Sequence, residues 1–186
     1  MHSNLWSDNT HKDFYKLAIA LKDISDAKAI LELIAERSLS YMDSLYQPLS
    51  NGFVVCYSKP FLHNKPFGKL ESKWKAYKTT ELLNAHKEIL KLRNKLAAHS
   101  DASSHTAMFF SPGTIRAGKE DSMSLLINDE LEFAISTKLL NIDKLEVYHS
   151  MCSNLQDRLM NEVDKKMVSI RGSIELPPNG ILQITF

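Results

Sequence analysis

Cysteine is scarce in this chain and glycine little commoner: two Cys, six Gly and six Pro stand among 186 residues. Cys56 and Cys152 are far apart and solitary, which suits a reducing compartment and excludes a disulfide-stapled scaffold. No apolar stretch approaches the roughly 20 residues needed to span a bilayer. Residues 1–15 are polar and contain no apolar signal core, so a cytoplasmic protein without a secretory signal or a membrane association is expected. Glycine patterns of the Walker or dinucleotide-binding kind are missing, which argues against P-loop and Rossmann enzymes. His2, His11, His63, His86, His105 and His149 have neither zinc-finger nor His-Glu-x-x-His spacing, and Cys56 with His63 lacks a second pair. No metal and no cofactor is therefore expected. Repeats and low-complexity tracts are also missing.

What remains is a sequence of ordinary globular composition, 44% apolar and 24% charged. Its length is most simply one domain covering 1–186. The net charge of +1 hides an asymmetry. Between Lys59 and His99, nine lysines and one arginine face three glutamates, a surplus of seven positive charges; the rest holds 13 basic and 19 acidic residues, a deficit of six. Such a segment draws a polyanion to one face, although any single lysine reads equally well as solvated surface.

Apolar residues at three-and-four spacing (Phe14, Leu17, Leu21, Ile24, Ala27, Leu31, Ile34) predict an amphipathic helix over about 12–37. A second stripe, Leu39, Met42, Leu45, Leu49, Phe53 and Tyr57, predicts another over 38–57, with Asn51-Gly52 able to kink it and Lys59-Pro60 closing it. Residues 61–77 read as a long basic loop. Thr79-Thr80-Glu81 is a helix-start signal, and the pattern then runs to about His99. Over 100–137 the pattern turns β-prone at Thr106–Phe110, Met123–Asn128 and Leu131–Ser136, which predicts a small antiparallel insertion. Asp143 opens a last long helix whose apolar face holds Cys152 as a buried small hydrophobe. Residues 172–186 read as a hairpin around Pro177-Pro178-Asn179-Gly180. The expected fold is mainly α: a bundle of about four to five long helices with a small β insertion and a C-terminal β-hairpin.

The stretch Leu92-Arg93-Asn94-Lys95-Leu96-Ala97-Ala98-His99-Ser100-Asp101 stands at the end of the third helix. As helix surface, Arg93, Lys91 and Lys95 face solvent, and His99 complements the helix dipole with Asp101 beside it. As chemistry, a guanidinium holds a phosphate through a fork of donors, and an imidazole with an ordinary pKa near 6.5 moves a proton. Positions six apart on a helix lie about 120° apart and about 9 Å along the axis, so Arg93 and His99 do not make a compact pair on one copy. Two-fold symmetry would bring the Arg of one subunit near the His of the other.

This motif resembles that of HEPN domains, the higher-eukaryote and prokaryote nucleotide-binding family, in which an Arg and a polar residue precede a His by several positions. The resemblance covers Leu92–Asp101 closely and the order of long helices loosely; the β-prone insertion and the C-terminal hairpin fall outside it. It implies a helical bundle that dimerises so that two motifs line one cleft. It also implies, as in toxin or phage-defence members, a metal-independent endoribonuclease with Arg93 and His99 catalytic, Asn94 at the polar position and Asp101 supporting. RNA, a second copy and a cognate antitoxin or other protein are the partners so implied. A non-catalytic HEPN-like module that binds RNA, a nucleotide or a protein is the alternative, and a plain helical interaction protein a third.

Aromatics interleave with cations from Tyr57 to Lys78, so Lys73, Lys75, Lys78 and Trp74 join Lys91 and Lys95 as candidate RNA contacts, Trp74 by stacking on a base. The same aromatics would equally pin the loop onto the bundle. His86, on the motif's helix, reads as a surface residue.

Overall fold

A computed structural model describes residues 9–63, 67–97, 105–110, 132–137 and 139–171. The protein is mainly helical: α1 (Asn9–Glu36), α2 (Tyr46–Ser58), α3 (Thr80–Ala97) and α4 (Leu145–Arg171) make up most of what is described. Two strands, β1 (His105–Phe110) and β2 (Glu132–Thr137), pair antiparallel with His105 opposite Thr137 and Phe110 opposite Glu132. The predicted strand at 123–128 and the C-terminal hairpin at 172–186 lie outside the described residues.

α1 forms because one face is apolar at helical spacing. Leu17, Ala20, Ile24, Ala27, Leu31 and Ile34 are all buried, with Phe14 and Leu21 half-buried at their edge. Its end departs from the predicted pattern. Ser38 adopts the left-handed conformation at φ 48°, and the amides of Ser38 and Leu39 donate to the carbonyls of Ala35 and Ile34, both at 3.0 Å. This is a Schellman reversal with serine where glycine is usual, and Leu39 folds back on Ile34 as that motif prefers. The stripe expected to start a helix at Ser38 is therefore broken: Met42 is 91% exposed and Leu45 46%. The helix begins only at Tyr46, with Pro48 in its first turn, where a missing N–H costs nothing.

α2 continues through Asn51-Gly52 without ending. A Cβ at Gly52 would come within 3.4 Å of Ile30 Cδ1, so the glycine lets α2 lie close to α1. Phe53, Val54 and Tyr57 of α2, Ala85, Ile89 and Leu92 of α3, and Tyr148, Met151, Cys152, Leu155, Leu159 and Val163 of α4 complete the main core. A smaller cluster of Ile34, Leu39, Tyr46 and Leu139 closes one end, where the Tyr46 hydroxyl donates to the Leu140 carbonyl at 2.7 Å.

Cross-links fix the helix directions. Glu32 meets His149, Ser25 meets Gln156 and Asp13 meets Lys166, so α1 and α4 run antiparallel. Lys59 meets Asp23, which sets α2 antiparallel to α1. Glu88 meets Lys144 while Arg158 meets Ala76, which sets α3 antiparallel to α4. Each helix packs on the next and α4 returns to α1, an up-and-down four-helix bundle. The α1–α2 reversal, the start of α4 and the end of α3 share one pole, and the α2–α3 connection occupies the other.

Candidate functional site

α3 starts at Thr79, whose Oγ1 accepts the Leu82 amide at 3.3 Å, with Glu81 in the first turn beside the helix dipole. Ala85, Ile89 and Leu92 turn inward and Leu96 is half-buried against the same core. This apolar anchor holds the polar positions of the motif outward. Arg93 is half-buried on the flank, and its guanidinium donates to Asn94 Oδ1 at 3.4 Å, a weak contact; Asn94 is exposed. His99 and Asp101 lie outside the described residues.

Lys91 is exposed and Lys95 half-exposed, one turn apart on one flank. On a helix both stand about 160° from Arg93, so these cations do not surround it. Lys73, Lys75 and Lys78 sit beyond the opposite end of α3, about 20 Å from Arg93 along the axis. Lys73 pairs with Glu71 at 3.3 Å and covers the Trp74 ring at 5.6 Å. Trp74 is 5% exposed, so its faces are used within the fold and none is offered to a base. Arg158 of α4 stacks over Trp74 and Tyr77 while donating to the Ala76 and Lys73 carbonyls, both at 2.7 Å. The 3₁₀ turn Ser72–Lys75 and the bond from the Leu70 amide to the Pro60 carbonyl complete this clamp. The aromatics of the loop thus pin it to the bundle.

His86 requires a correction. It is 3% exposed, not a surface residue, and packs against Tyr57, Phe61 and Tyr77 with ring centroids 4.7 to 5.9 Å away. Its Nδ1 shares a proton with the Tyr57 hydroxyl at 2.8 Å, and that hydroxyl meets Tyr77 Oη at 2.7 Å. Burial, then the charges of Lys75 and Lys87, lower the imidazole from 6.5 to about 4. Burial also raises the Tyr77 phenol to about 12 and the Tyr57 phenol well above its ordinary range. The trio is neutral near pH 7 and serves as a satisfied polar core. Its signal is present in the sequence: Leu82, Leu83, Ile89 and Leu90 flank His86 at minus four, minus three, plus three and plus four. A second network on α3 was not anticipated either: Glu88 accepts from Lys144 Nζ at 2.8 Å and from the Tyr148 hydroxyl at 3.2 Å.

A groove of about 470 Å³ opens between α1 and α4, with Leu31, Ala35 and Leu145 on its floor and Glu32, Glu36, Glu146 and His149 around it. Its carboxylates repel a polyanion. No group of three His, Cys, Asp or Glu among the described residues is arranged to hold a metal. No helix among them is long and apolar enough to cross a membrane.

Compared with protein-family models, with curated proteins and with solved structures, the chain finds no match in any of the three.

Proposed function

We propose that this chain is a HEPN-type endoribonuclease that acts as a homodimer through Arg93 and His99. The observation behind the reading is where the motif stands in the bundle. Leu92 and Leu96 anchor the last turns of the third helix in the core, so the Arg93-Asn94 step is held on a rigid element and turned outward. In this reading Arg93 grips the scissile phosphate and offsets charge developing on it. His99 accepts the 2′-hydroxyl proton as that oxygen attacks phosphorus, and the 5′-oxygen leaves with a proton returned to it. The products are a 2′,3′-cyclic phosphate and a 5′-hydroxyl, without a metal. Asn94 orients the guanidinium, Asp101 supports the imidazole, and the second copy supplies the complementary half of the site.

The separation of Arg93 from Lys73, Lys75 and Lys78 favours a second reading, a non-catalytic HEPN-like module that binds RNA, a nucleotide or a protein partner. Incubation of mixed RNA with purified protein in EDTA, beside Arg93→Ala and His99→Ala, decides between them. Cutting that leaves cyclic phosphate ends and is lost in both variants is expected. Equal RNA decay in all three folded samples overturns the nuclease and leaves the module.

A further inference from the structure

We propose that Lys87, Lys91 and Lys95, on the outer flank of α3, form the track that receives the phosphate backbone of a single-stranded RNA. The proposal rests on the ribonuclease reading for the choice of polyanion and deepens it by naming the contact surface.

Three observations converge. The lysines recur every fourth residue, so they form one row with about 6 Å of rise per step. Lys87 and Lys91 are exposed and Lys95 half-exposed. The fold does not use them: α3 packs through Ala85, Ile89 and Leu92, and among the described residues none of the three makes an ion pair. Like charges one turn apart repel and weaken a helix, and an anion laid along the row reverses that.

The surroundings favour this flank over every other described surface. From Thr80 to Ala97 the acids are Glu81, in the first turn, and Glu88, already neutralised by Lys144. Lys73 is paired with Glu71, Lys22 with Asp26, Lys59 with Asp23 and Lys28 with Glu32. The groove between α1 and α4 is rimmed by carboxylates. With Trp74 buried, recognition here is of phosphates and sequence-tolerant.

The test separates binding from cutting. A fluorescent 15-nucleotide uridine oligomer is titrated with the His99→Ala protein, so that no cleavage intervenes, over a range of salt concentrations. The same titration is repeated after adding Lys87→Gln, Lys91→Gln and Lys95→Gln together. Each phosphate contact on a single strand contributes about 0.7 to the slope of log affinity against log salt, so the triple change should lower the slope by about 2. Between 1 M and 0.1 M salt that difference grows to about 100-fold in affinity. Lys73→Gln with Lys75→Gln and Lys78→Gln should move the slope far less. An unchanged slope in the Lys87, Lys91 and Lys95 variant, or an equal fall in the second set, overturns the track. A lowered slope in a protein that cuts no RNA supports the track and removes only the nuclease.

Discussion

Acidification should destabilise this protein through one side chain, His86. In the unfolded chain its imidazole titrates near 6.5, while in the folded bundle burial and the charges of Lys75 and Lys87 hold it neutral down to about 4. The unfolded state therefore binds the proton first. The contribution is intact above pH 6.5, shrinks as pH falls through that value, and is fully lost near pH 4. At about 1.4 kcal/mol per pH unit the gap corresponds to a loss of about 3 kcal/mol. Since small domains have only about 5–15 kcal/mol in total, such a loss is readily measured. Urea unfolding at pH 7.5, 5.5 and 4.5 on the wild type and His86→Gln isolates it, because the carboxylates titrate alike in both. At pH 7.5 the variant should be weaker by about 1–3 kcal/mol, since the amide replaces the imidazole imperfectly beside Tyr57. Towards pH 4.5 the wild type should lose most of that advantage. Parallel stability curves for the two proteins over this range would refute the assignment of a neutral, buried imidazole.

Ser38→Gly should raise stability by up to about 1 kcal/mol, because glycine meets φ 48° without the steric cost serine bears; thermal melting checks it. Arg158→Ala should free the loop, so that the amides of Trp74 and Ala76, bonded at 3.1 and 3.4 Å, exchange faster while those of α1 do not. Cys152 is 0% exposed and its thiol is pushed up by burial, whereas Cys56 is partly exposed and raised as well. Iodoacetamide at pH 8 should therefore modify Cys56 slowly in the native protein and reach Cys152 only in denaturant, as mass spectrometry of the peptides would report.

The bundle was legible where periodicity alone sets burial. α1, α3 and α4 follow apolar residues at three-and-four spacing, and Thr79-Thr80-Glu81 marks the start of α3 within a residue. The start of α2 was not, because Leu39, Met42 and Leu45 continue a helical rhythm into a segment where the chain reverses. That reversal is set by hydrogen bonds to Ala35 and Ile34 through a serine, and no glycine announces it. His86 was misjudged because a polar type outweighed its four apolar neighbours, and only the Tyr57 and Tyr77 hydroxyls, distant in sequence, make its burial affordable. The motif itself was legible as a pattern of residue types. Its cations were not legible as a cluster, since composition counts lysines without saying that α3 sets Lys78 and Arg93 at opposite ends.

The buried His86–Tyr57 bond also acts as a rotational index for α3. One residue of slip along a helix turns every side chain by about 100°, enough to swing Arg93 from its flank to the solvent-facing side or into the core. Ala85, Ile89 and Leu92 resist that slip only through the shape of an apolar face, which tolerates small rotations. A hydrogen bond of 2.8 Å tolerates almost none. Aim at the motif's pole is thus set two turns away, and a substitution at Tyr57 would misalign Arg93 in a protein that still folds.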